Sequence, residues 1–140
     1  MKAQAKKIRT MFSLPMMTTD VTGRTVWADH GWPTEPRGGL MLTPRIGTSS
    51  LRLRVSEPGY QSKWHVAGEP VLIIIRRGVL QIGLRDGSSR DFGPGDGFIA
   101  ADALPDGVAF DEQVHGHRAR VVGDQTLEAV HIKLERLGGA

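Results

Sequence analysis

The side chains able to do chemistry together lie in two short stretches, Trp64-His-Val-Ala-Gly-Glu69 and His115-Gly-His117. Imidazole and carboxylate are the donors that hold iron, manganese, nickel or zinc, and they also move protons near neutral pH. A mononuclear metal needs at least three such groups converging, with open positions left for substrate. His65, Glu69 and His117 can supply three, and His115, two residues before His117 on the same strand face, can replace one. Without a metal, His65 and Glu69 form a candidate acid–base pair. On the plainest reading, His65 and His117 are pocket-lining groups with hydrogen-bond partners.

Other polar residues carry less. His30 and His131 have no histidine–carboxylate constellation near them in the chain and suit surface or packing roles. Asp111 and Glu112 read as solvated loop residues. Gly93-Pro-Gly95 reads as a turn between strands rather than a phosphate-cradling loop, which would open a helix. Trp64 alternates with His65 and so faces outward, where a partner subunit can meet it.

The elements that must position these residues are short strands. Eighteen glycines and eight prolines interrupt the chain every few residues and leave little room for long helices. Leu51, Leu53 and Val55 alternate with Arg52 and Arg54, the pattern of a half-buried strand with its leucines inward. Pro70 to Arg76 and Val79 to Arg85 read as a hairpin turning at Arg77-Gly78, and Asp86-Gly87 supplies the next turn. Gly97 to Ala101 is a short apolar strand after the turn cluster Asp91-Phe-Gly-Pro-Gly-Asp96. Residues Asp102 to Glu112 show no period and form a loop long enough to cover a mouth. His115 to Val122 and Leu127 to Leu134 read as strands, the latter because Val130 and Ile132 are β-branched. Asp29 to Arg45 reads as irregular apart from a short strand near Gly39 to Leu42. Eight or more short strands with regular turns indicate a small barrel or double-sheet sandwich.

Several of these residues form a recognisable frame: Gly59, His65, Ala67, Val71 and Gly78, then Phe92-Gly-Pro-Gly-Asp96, Gly116-His-Arg118 and Val121-Val-Gly123. Over Ser50 to Leu134 the chain resembles a small single-domain cupin. The resemblance implies an antiparallel β-barrel of double-sheet jelly-roll type, a homodimer, and a metal held by histidines and a glutamate. Position by position, His65 stands at the first histidine, while Ala67 and Val71 occupy the places of the second histidine and the glutamate. Glu69 lies two residues early. The last histidine corresponds to His117 if the Pro105 loop is an insertion, or to Phe110 if Pro105 and Gly107 belong to the motif itself.

The remaining composition excludes other classes. The 140 residues suit one domain, here expected over 21–140, preceded by a basic and partly disordered arm over 1–20. Lys2, Lys6, Lys7 and Arg9 give that arm its charge; the apolar part after it is too short, and broken by Pro15, to be a signal peptide. No run approaches the roughly 18–20 apolar residues of a membrane helix. There is no cysteine, which is consistent with the cytoplasm. Net charge is only +3, with basic residues scattered and only four Phe, three Trp and one Tyr for base stacking, so no nucleic-acid partner is expected.

The function expected is therefore small-molecule binding, with a polar or carboxylate-bearing ligand near His65 and His117 and no firmly bound metal. A metal-dependent cupin enzyme, a dioxygenase or isomerase using His65, Glu69 and His117, is the alternative. A third reading is a structural or interaction module with no pocket.

Overall fold

The computed structural model describes residues 11–138, which contain eleven strands and no helix. The larger sheet has six strands in the order β2-β1-β9-β6-β11-β5. They are β1 (Met11–Thr19), β2 (Thr25–Pro33), β5 (Thr48–Ser56), β6 (Val71–Arg77), β9 (Gly97–Ala100) and β11 (Leu127–Leu134). The smaller sheet orders β10 (Arg118–Val122), β7 (Val79–Gly83) and β8 (Ser89–Phe92), and β3 (Glu35–Arg37) pairs with β4 (Leu40–Leu42) in a separate ribbon. All pairings are antiparallel except β1 with β9. The fold is the expected all-β double sheet, although its ladders remain separate sheets rather than one closed cylinder.

The core fills the space between the two sheets. Ile73, Ile75 and Phe98 from the larger sheet meet Leu80, Ile82 and Val121 from the smaller one. Phe98 is wholly buried, and its ring lies 4.4 Å from that of Phe92. Burial of such a side chain contributes about 1.5–3 kcal/mol. A second cluster, Met16, Trp32, Ile99 and Leu134, packs on the other face of the larger sheet.

Four sequence expectations change. The arm expected over residues 1–20 is a strand from Met11 onward, because Met16 and Met17 are buried on opposite faces. Pro15, which cannot donate to a ladder, sits just before the β9 pairing begins at Met16. Lys2, Lys6, Lys7 and Arg9 lie outside the described residues. The Asp29–Arg45 segment, read as irregular apart from a short strand near Gly39 to Leu42, has that strand as β4 but is also strand through Pro33 and in β3.

The hairpin expected across Arg77-Gly78 is instead a crossover between sheets. β6 pairs with β9 and β11, whereas β7 pairs with β10 and β8. Gly78 turns this corner at φ 78°, and a Cβ there would lie 2.7 Å from the Thr126 carbonyl oxygen, so only glycine fits without displacement.

Strand β5 alternates as expected but with its faces reversed. Leu51, Leu53 and Val55 are 59%, 77% and 67% exposed, and Arg54 is turned inward. The reason is positional: β5 is an edge strand, paired only with β11, and its inner face borders a polar opening rather than the core. His131 of β11 shares that inner side. Val130, Ile132 and Leu134 share the opposite side, with Leu134 buried beside Trp32.

Candidate functional site

A cavity of about 150 Å3 lies between the sheets, walled by core residues such as Ile73, Leu80 and Phe98. His65, His117, Arg54 and His131 provide its polar positions.

The segment before β6 brings His65 to the site. From Gly59 it runs beside β10, with Ser62 N–H donating to Ala119 O at 2.8 Å and isolated bridges at Gln61–Arg120 and His65–His117. The histidines exchange both backbone bonds, His65 N–H to His117 O at 2.9 Å and His117 N–H to His65 O at 2.8 Å. Their rings lie 4.5 Å apart, inclined at 56°. Gly116 permits this approach: its φ is 88°, and a Cβ would stand 2.5 Å from the His65 carbonyl oxygen. Any side chain at 116 would push the histidine pair apart.

His117 is held by Asp102, a carboxylate with no solvent exposure. Asp102 Oδ2 accepts from His117 Nδ1 at 2.7 Å and from the Thr25 hydroxyl at 2.7 Å, and Oδ1 accepts from Ala67 N–H at 3.0 Å. Burial alone would push this carboxyl up, but the hydrogen bond and charge of His117, with the other two donors, bring it below its ordinary value. Because a carboxylate accepts, the His117 proton sits on Nδ1, leaving Nε2 available to the cavity. His65 behaves alike: Nδ1 donates to Lys63 O at 2.7 Å, so its Nε2 is also unspent.

His65 is at the rim, with the ring partly buried against the cavity. That burial pushes its pKa down, outweighing the Lys63 carbonyl that favours the charged form; the neighbouring His117 lowers it further. His131 is lowered chiefly by burial and then by the Arg54 charge.

Glu69 and His115 do not join this group. Glu69 follows Gly68, whose φ is 82°, and points outward to Lys133 Nζ at 3.2 Å with 71% of its side chain exposed. His115 is buried beneath the 102–115 loop, where Nδ1 accepts from Asp111 N–H at 2.9 Å and the ring packs against Phe110. Gly116, at φ 88°, interrupts the extended backbone between the two, so His115 leaves the face it was expected to share with His117. Trp64 does face outward, but its own chain clasps it: the Arg85 and Arg118 guanidinium carbons lie 4.0 and 4.9 Å from its ring.

The metal set expected from His65, Glu69 and His117 therefore does not assemble. Among the described residues no group of three or more His, Cys, Asp or Glu side chains is placed to hold a metal ion. Ala67 and Val71 contribute apolar wall, and Asp102 is spent on three donors. The residues present do not fit a mononuclear metal centre.

Three participants escaped the sequence reading. Asp102 opens an aperiodic loop and looks in sequence like the exposed Asp106. Arg54 was legible in its alternation but assigned to the solvent face. His131 shares a strand face with Ala129 and Lys133, a signal that becomes useful only once the inner face of β11 is known.

Comparison with solved structures finds partial likenesses. Over 66% of its length the chain is similar to a protein from Neisseria meningitidis, at 16% identity and TM-score 0.43, covering 83% of that chain. Over the same share it is similar to a cupin domain from Bordetella pertussis, at 16% identity and TM-score 0.41, covering 98% of that chain. No protein-family model and no curated protein matches the sequence. The chemistry of the pocket is read from its own residues. No helix among the described residues is long and apolar enough to cross a membrane.

Two outcomes follow from these contacts. In an NMR titration, the His65 and His131 ring signals should both have midpoints below the ordinary 6.5, and Arg54→Gln should raise that of His131; a midpoint above 6.5 in either contradicts the burial described. Asp102→Ala should cost about 3–5 kcal/mol in urea melts at pH 7, because it breaks a buried pair. Since the folded pKa of Asp102 is depressed, its contribution is present above the ordinary value of 3.8 and lost as pH falls below it. The gap between wild type and variant should accordingly narrow in melts near pH 3, and a gap independent of pH would refute the buried ionised carboxylate.

Proposed function

We propose that the chain is a small-molecule-binding protein whose ligand enters the cavity between the sheets and meets His65 and His117, without a firmly bound metal. The observation that carries this reading is the fixed histidine pair, with both Nε2 atoms unspent, at one side of a largely apolar cavity. A few preorganised polar groups in an apolar recess are what a small-ligand site requires.

A thermal-shift screen of polar small molecules tests it, since a ligand at about 100 times its Kd stabilises by about 2.7 kcal/mol. Ligands that raise Tm in wild type should lose their effect in His117→Ala. Stoichiometric iron, manganese, nickel or zinc in tag-free protein, lost in both His65→Ala and His117→Ala, would instead favour the metal-dependent reading.

We also propose a homodimer formed along β5. Its open edge and its outward Leu51, Leu53 and Val55 favour antiparallel pairing with the same strand of a second copy, which continues the apolar stripe across a two-fold axis. Light scattering should give twice the chain mass for wild type and the single mass for Leu53→Lys; a monomeric wild type at working concentration removes this proposal.

A further inference from the structure

The histidine pair leaves the other polar groups of the cavity unused. Arg54 projects from the inner face of β5 and is half-buried. Its Nε donates to Ser56 Oγ at 2.9 Å, and its guanidinium stands 5.2 Å from the Tyr60 ring. None of the ion pairs among the described residues involves it. Asp102, the carboxylate nearest the histidines, is committed to His117, Thr25 and Ala67. A guanidinium withdrawn from water toward an apolar cavity, with no carboxylate of its own chain, is an incomplete pair.

His131 shows the same incompleteness independently. Its Nε2 is buried and has no hydrogen-bond partner among the described residues. Buried polar side-chain atoms are rarely left so, and each exception calls for a partner. Arg54 and His131 lie on neighbouring strands, with Arg54 opposite Ala129 and Arg52 opposite His131, so both act on the same side of the cavity. Beyond them, Arg52 and Lys133 line an adjoining opening with His131, and Glu69 sits outside it on Lys133. With Lys133 answered by Glu69, Arg52 leaves the approach to the cavity net positive, which draws anions toward it.

Resting on the small-molecule reading above, we propose that Arg54 and His131 form a carboxylate-recognition end of the pocket, so that the ligand is a monocarboxylate with a compact apolar body. The planar guanidinium fork matches a carboxylate, and His131 Nε2–H donates to the same group. One permanent cation matches one negative charge; a phosphate dianion would leave a charge uncompensated in a desolvated site. The body is limited by volume: about 150 Å3, walled by residues such as Ile73 and Phe98, is the size of a cavity that accepts benzene. With His65 and His131 both held toward the neutral form by burial, Arg54 remains the charge that the ligand answers.

The test uses isosteric pairs, benzoate with benzamide and isobutyrate with isobutyramide, together with phenyl phosphate. Each is titrated into full-length protein at pH 7 while the His117 and His131 ring signals are followed by NMR. The acids should bind at least about tenfold more tightly than their amides, the effect of one charge-assisted hydrogen bond. Arg54→Gln should abolish that preference, and Arg54→Lys should restore part of it. Amides that bind as tightly as the acids, or an Arg54→Gln variant that keeps the preference, would leave the small-molecule site standing and overturn the carboxylate assignment. Tighter binding of phenyl phosphate would overturn the monoanion class. If no probe moves the His117 signal, both readings fall. The acid–amide comparison on wild type decides the point even if Arg54→Gln does not fold.

Discussion

The site depends on one buried carboxylate. Asp102 has no contact with water, and an isolated charge so placed would be prohibitive. It persists because three donors from separate parts of the chain converge on it: the Thr25 hydroxyl from β2, the Ala67 amide from the segment before β6, and the His117 ring ahead of β10. The requirement runs both ways. If any of these segments shifts, the carboxylate loses a donor, so the charge holds both sheets and the intervening turn in one arrangement. Burial here stabilises a particular geometry more than it adds to overall stability.

The cavity inherits its two-sided character from that arrangement. His117 can present only Nε2, because Nδ1 is held, and Gly116 sets its distance from His65 through the backbone rather than through side-chain packing. The apolar wall comes from residues that the two sheets would bury in any case. Its polar far side comes from β5 and β11, at the sheet edge, where an arginine can be turned inward while its leucines face out. An edge strand tolerates this inversion because one of its faces never belonged to the core.

What the sequence disclosed follows the range of the interactions concerned. Strands with period-two patterns, such as β5 and β11, were legible because alternation is a local property, whereas the proximity of His65 to His117 was implied only by the cupin resemblance, under the alignment that treats the Pro105 loop as an insertion. The side on which a pattern faces is not local: Leu53 and Arg54 exchange roles depending on whether the strand lies over the core or at its margin. Sheet membership is not local either, and the Val71–Gly83 segment looks like a hairpin until the third and fourth partners of its strands are known. Asp102 is the clearest case. Its partners are 77, 35 and 15 positions away, and nothing in its neighbours separates it from a solvated aspartate. Glu69 misled for the opposite reason, standing close to His65 in the chain while Gly68 and Pro70 turn it to the outside.

The parallel contact between β1 and β9 has a consequence during synthesis. Met16 and Met17 find their partners at Ile99 and Ala100, so the β1–β2 hairpin emerges from the ribosome with apolar side chains on both faces and waits for a long further stretch of chain before it can dock. Such long-range closure slows folding, and the waiting strand is open to unwanted pairing. The β1–β2 hairpin, made well before its partner strand, is therefore late to become secure, and it is there that a chaperone would have the most to protect.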